Sequence, residues 1–165
     1  SNIELFMSNY LENYFYIILI PRHWSYELME AWKPGASWNV EGKEPMFMTD
    51  FEFYGGRKDY AENTAGGYYA TRVAIAEHLI AAKRQATAIV FREIGDAGTP
   101  SLGVWKVRET VRNAFSKKPL NFSDLNLALK YVEQKATIPL KYWYKNSVLL
   151  KEIKEPRKIT EYFAK

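Results

Sequence analysis

The chain contains no cysteine and two histidines, His23 and His78. The first absence excludes disulfides and thiolate metal ligands among these residues and suits a reducing compartment, so a cytoplasmic setting is expected. Two imidazoles are too few for a His-rich zinc or iron centre. Neither has a serine or aspartate at a triad spacing. No run of about 18 apolar residues occurs, so no membrane-spanning helix is expected. The Walker and Rossmann glycine spacings are missing, and so are internal repeats and low-complexity tracts.

What is present fits one globular domain. At 165 residues the chain is long enough to bury roughly 68–70% of its unfolded surface around a single core. Aromatic content is high at 16%, with 12 Tyr, 9 Phe and 5 Trp, a composition suited to contact surfaces and stacking platforms as well as to cores. The net charge of +4 is compatible with nucleic acid without requiring it.

The longest helical pattern follows the turn signal Asn63–Gly67 and runs to Lys83-Arg84, with Tyr69, Val73, Ala76 and Ile80 along one face. The apolar, β-prone run 86–92 after it reads as a central buried strand. Upstream, residues 14–20 read as a strand stopped by Pro21, and 24–32 read as a helix with Trp24, Leu28 and Trp32 on one side. Residues 46–53 alternate, with Phe47, Thr49, Phe51 and Phe53 opposite Met48, Asp50 and Glu52. Downstream, helices are expected over 102–115, after Ser123 as N-cap, and once between 139 and 150. The expected class is α+β: a small mixed or antiparallel sheet of about three strands covered by helices, with a three-layer α/β arrangement as the alternative. One domain would span residues 9–150, with a charged tail over 151–165.

Candidate chemistry gathers at four places. Asp50 and Glu52 share a strand face, and with Glu93 or Glu62 nearby they would form a carboxylate cluster able to hold Mg²⁺ for a nuclease or phosphotransferase. No lysine stands two residues after Glu52, so the common nuclease carboxylate–lysine pattern is absent, and a solvated strand face is the plainer reading. Arg57, Arg72, Arg92 and Arg108, if they converge on the helix start at Gly66-Gly67, would make an anion or nucleic-acid site. Lys117-Lys118 with the cations of 102–115 offers a basic face for DNA, against the simpler reading of a solvated helix surface. In the tail, Ile159, Tyr162 and Phe163 form a hydrophobic plug on an otherwise charged terminus, which calls for a partner, internal or external.

Four blocks carry a resemblance: residues 26–32, the Gly-led segment 54–61 with Gly-Gly-Tyr-Tyr-Ala-Thr-Arg at 66–72, Val90-Phe91-Arg92-Glu93, and 102–109 with its Gly103 and Trp105. Together they resemble the C-terminal half of the archaeal Nre family of DNA repair proteins. The resemblance implies repair of DNA damage through the sliding clamp (PCNA), reached by a C-terminal motif of glutamine, two residues, an aliphatic, two residues and two aromatics. Ile159, Tyr162 and Phe163 fill its apolar places, while Pro156 stands where the glutamine belongs and should weaken binding. No cofactor is expected for this part of the chain, with Mg²⁺ an option under the enzyme reading. The family's N-terminal half is expected to carry a cysteine-bearing zinc region, a candidate partner that these residues do not include.

Overall fold

The computed structural model describes residues 2–95 and 102–155. Its strands are β1 (Ile3–Tyr10), β2 (Asn13–Ile20), β3 (Ser25–Trp32), β4 (Met46–Glu52), β5 (Thr87–Ile94) and β6 (Leu120–Phe122). The helices are α1 (Ala65–Ala81), α2 (Val104–Phe115), α3 (Leu125–Lys135), α4 (Leu140–Asn146) and α5 (Leu149–Lys154). The strands form one mixed sheet in the order β4-β3-β5-β2-β1-β6, in which β3 and β5 run parallel and the other pairs antiparallel. The sheet therefore has six strands, not about three. Helices cover both faces: α1 and α2 close one core and α3 to α5 the other.

One expected helix is overturned and one strand goes unannounced in the sequence, each for a physical reason. Residues 25–32 form a strand, not a helix. The four-residue spacing of Trp24, Leu28 and Trp32 is in phase with a period of 3.6 and equally with a period of 2, so it does not discriminate. Between β4 and β5 every residue of β3 is buried, and that burial overrides the helix-favouring Glu, Leu, Met and Ala of the segment. The second is β1, which begins at Ile3, ahead of residue 9, and joins β2 through Leu11-Glu12. Both loop residues have positive φ, 43° and 59°. That geometry matches the right-handed strand twist, but it is usually announced by Asn-Gly.

Other elements lie where periodicity puts them, with shifts in detail. Helix α1 buries Tyr68, Ala70, Thr71, Ala74, Ile75 and Leu79 and leaves Val73 and Ile80 exposed, so the inward face is rotated from the expected one. Small side chains at 70, 71 and 74 suit close packing on the sheet and on α2. The N-cap of α3 is Asp124, whose carboxylate accepts from Leu127 N–H at 3.0 Å, rather than Ser123. The segment after Pro139 forms two helices, α4 and α5, in place of one.

The outer edge of β4 is closed by the loop that follows it. Arg57 Nη1 donates to Phe51 O at 2.7 Å and Asn63 Nδ2 to Thr49 O at 3.0 Å. Side chains thus take the carbonyls an edge strand leaves open to a foreign chain.

Candidate functional site

Residues two apart on a strand share a face, so Asp50 and Glu52 point together under α1. That face is buried, not solvated: Asp50 is 4% and Glu52 3% exposed. On the same face β3 contributes Glu30, and β5 places Arg92 in register beside it. The result is a stripe of three buried carboxylates, Glu52, Asp50 and Glu30, running beneath the first turns of α1.

Each member of the stripe is bonded. The Asp50 carboxylate accepts from Thr64 N–H at 2.6 Å, Thr64 Oγ1 at 2.7 Å and Asn63 Nδ2 at 3.3 Å, with Arg57 Nη2 3.7 Å away. These bonds hold the start of α1, where Ala65 adopts a left-handed φ of 42°. Glu52 accepts from Arg72 Nε at 2.6 Å and Nη2 at 3.0 Å, from Tyr68 Oη at 2.8 Å and from Trp24 Nε1 at 3.0 Å. Burial pushes the Glu52 carboxyl up, but the bonds from Arg72, Trp24 and Tyr68 outweigh it and hold its pKa below the usual carboxylate range. Glu30 shares a salt bridge with Arg92, whose Nε and Nη2 also donate to Asn13 Oδ1 at 3.0 and 2.7 Å. Burial dominates at Glu30 and raises its pKa against the pull of Arg92.

Glu93 does not join them. It faces the other side of the sheet and accepts from Thr137 N–H and Oγ1, at 3.0 and 2.6 Å, and from Ile138 N–H at 3.2 Å, with Lys33 Nζ at 3.2 Å. Glu62 is exposed. Glu27, also on that second face, accepts from Ser147 Oγ and from Val148 N–H at 2.7 Å, and so anchors the start of α5. Among the described residues no three His, Cys, Asp or Glu side chains are arranged to hold a metal ion.

The arginines separate. Arg57 and Arg72 line one cleft of about 400 Å³ with Lys58, Tyr60 and Tyr68. Arg92, Gly66 and Gly67 line another of about 260 Å³ with Glu30, Trp32 and Trp38. Arg108 sits elsewhere on α2, where its charge and that of Arg112 act on Glu77 of α1. The two glycines serve close packing. A Cβ on Gly67 would lie 3.0 Å from Glu30 Oε2, and one on Gly66 would lie 2.5 Å from Val104 Cγ2. Two of the three α2 cations are also engaged: Lys106 with Glu109 at 3.6 Å, and Arg112 with Glu77 at 2.6 Å. Ile159, Tyr162, Phe163 and Pro156 lie outside the described residues. Glu30, Asn13, Thr64 and Tyr68 are members of these networks that the sequence pattern does not single out. An alternating reading of 25–32 would have exposed Glu30, since it puts Glu27 and Glu30 on opposite faces of a strand.

Comparison with known proteins fixes the family. A family model described as "Archaeal Nre, C-terminal" matches residues 52–162, and one described as "Archaeal Nre, N-terminal" matches residues 1–39. The chain belongs to the archaeal Nre family. Among curated Nre proteins it is 40% identical over 148 residues to DNA repair protein NreB of Archaeoglobus fulgidus, which covers 90% of this chain and 37% of that protein. DNA repair protein NreA of Haloferax volcanii is 39% identical over 116 residues, 70% of this chain and 28% of the relative. NreA of A. fulgidus is 37% identical over 125 residues, 76% of this chain and 31% of the relative. This Nre chain thus spans about a third of the length of the relatives it matches. Its match to the N-terminal model adds to the C-terminal resemblance read from the four sequence blocks. No solved structure matches it. Among the described residues no helix is long and apolar enough to cross a membrane.

Proposed function

We propose that this chain is part of a DNA repair factor that works by contact rather than by bond cleavage, with its last residues engaging the sliding clamp. The observation that carries the repair reading is the identity of 37–40%, over 70–90% of the chain, to proteins named for DNA repair. The bonded state of Asp50, Glu52 and Glu93 supports the non-catalytic part. A hydrolytic metal centre needs carboxylate oxygens turned toward solvent and substrate, and these are spent on backbone N–H groups, hydroxyls and guanidinium forks. The tail pattern Ile159, Tyr162 and Phe163 supports the clamp as partner, with Pro156 in the glutamine place reducing affinity. Titration calorimetry of the archaeal clamp with the wild type and with Ile159→Ala/Phe163→Ala tests the reading. Binding by the wild type alone is expected, and identical heats from both proteins would sink it.

A second reading, a module that docks the remainder of a longer Nre protein, is favoured by apolar side chains at the other end of the sheet. Trp38 and Val104, 60% and 53% exposed, line one cleft beside Glu30 and Arg92, and Trp105 adjoins them at 61% exposed. Stable association on co-expression with the remaining residues of a full-length relative would support that reading.

A further inference from the structure

The DNA-facing surface suggested by the sequence, Lys117-Lys118 with the α2 cations, loses much of its phosphate-binding capacity to the Glu77 and Glu109 ion pairs. A different band replaces it. Strands β2 and β4 end, and β1, β3 and β5 begin, at one edge of the sheet. The loops there border three open grooves, of about 750, 590 and 520 Å³. The grooves share walls: Arg22 and His23 divide the first from the third, and Arg84 and Gln85 the first from the second. They therefore adjoin one another in a row, a path along this end of the sheet.

Its chemistry alternates cations with rings. Arg22 and Lys83 are exposed with no carboxylate within ion-pair distance among the described residues. Arg84 is held by Glu4, and Arg72 by Glu52 with its guanidinium 5.7 Å from the centre of the Trp24 ring. Tyr54, 65% exposed, meets His23 edge to face at 6.0 Å, and Phe53 beside it is 41% exposed. Asn2, Gln85 and Asn121 add neutral polar groups along the path. The carboxylates lining it are Glu4, bonded to Arg84, and Glu152 at the far end. Unpaired bases offer flat faces to such rings while their phosphates follow the cations, whereas a duplex keeps its base faces stacked inside.

We infer that this edge of the sheet, from Tyr54 through His23 and Arg22 to Lys83, binds single-stranded DNA. The inference rests on the repair reading for its choice of DNA. The test is fluorescence anisotropy of the whole chain with a labelled 20-nucleotide strand and the matching duplex, across a salt series. The wild type binds the single strand more tightly than the duplex. Arg22→Glu/Lys83→Glu weakens it at least tenfold and lowers the salt slope by about 1.4, or about 0.7 for each phosphate that is no longer neutralised. Tyr54→Ala weakens it about tenfold with the slope unchanged, because stacking releases no counterions. Lys117→Glu/Lys118→Glu, which makes the same change in net charge on another surface, stays within about twofold. Equal binding by all four proteins, preference for duplex, or no binding to DNA overturns the inference. Calorimetry of the same preparations with the clamp separates the two claims: clamp binding without DNA binding removes this interface and leaves the repair reading standing.

Discussion

Glu52 ties β4 to two other parts of the molecule through one carboxylate: Trp24 ahead of β3, and Tyr68 and Arg72 on α1. The same device recurs at Asp50, Glu30, Glu27 and Glu93, each holding a loop, a helix start or an arginine against the sheet. A buried carboxylate with its bonds made contributes modestly, but removing its charge leaves the donors around it unsatisfied. Glu52→Gln, which keeps the shape and loses the charge, is expected to cost on the order of 2 kcal/mol at neutral pH. Because the folded pKa of Glu52 is depressed, its contribution is complete above the unfolded value of about 4.3 and is lost as pH falls through the folded value. Glu27 and Glu30, raised by burial, act with the opposite sign, so the difference between variant and wild type isolates Glu52. Urea melts of both proteins at pH 7 and at progressively lower pH check this. A gap that stays constant into acid would contradict the assignment.

At the scale of elements, the β1–β2 hairpin carries an avoidable conformational cost. Leu11 and Glu12 hold φ of 43° and 59°, values that asparagine and glycine adopt at little cost and that leucine and glutamate resist. Leu11→Asn/Glu12→Gly is expected to stabilise the chain by about 1 kcal/mol, raising the melting temperature by roughly 2–4 °C in calorimetry. No change, or a decrease, would mean that the Leu11 side chain or the Glu12 carboxylate near Gly95 outweighs the backbone effect. The same hairpin shows why part of the fold is hidden in the sequence. With neither Asn nor Gly at its turn, nothing in residues 9–13 announces that a strand has already passed. Strand β3 is hidden by the ambiguity of a four-residue spacing. By contrast β2, β5, α1 and α2 are legible, since β-branched and aromatic runs stopped by proline or bounded by turns have one good reading. The alternation that pairs Asp50 with Glu52 is legible too, but period alone does not say which face goes inward. Here the polar face is buried, because α1 brings the donors that satisfy it.

For the whole molecule, the two family regions do not correspond to two folding units. Residues 1–39, matched by the N-terminal model, supply β1, β2 and β3, while β5 and α1 lie in residues 52–162, matched by the C-terminal model. The order β4-β3-β5-β2 interleaves them, so β5 has a strand from the other region on each side. Arg92 of β5 takes its hydrogen-bond and charge partners from Asn13 of β2 and Glu30 of β3. Cut between the regions, residues 52–165 would keep β5 as an apolar strand with both edges bare, a template for aggregation, and would leave Arg92 without its counter-charge. The fragment 52–165 expressed alone is therefore expected to give no cooperative thermal transition and poorly dispersed amide resonances. Mixing it with 1–51 is expected to restore both, because β3 and β2 dock along the two edges of β5 and bring β4 and β1 with them. A cooperative melt by 52–165 alone would show that the C-terminal region folds without its neighbour strands, and the interleaved sheet would then be an assembly of two domains in place of one.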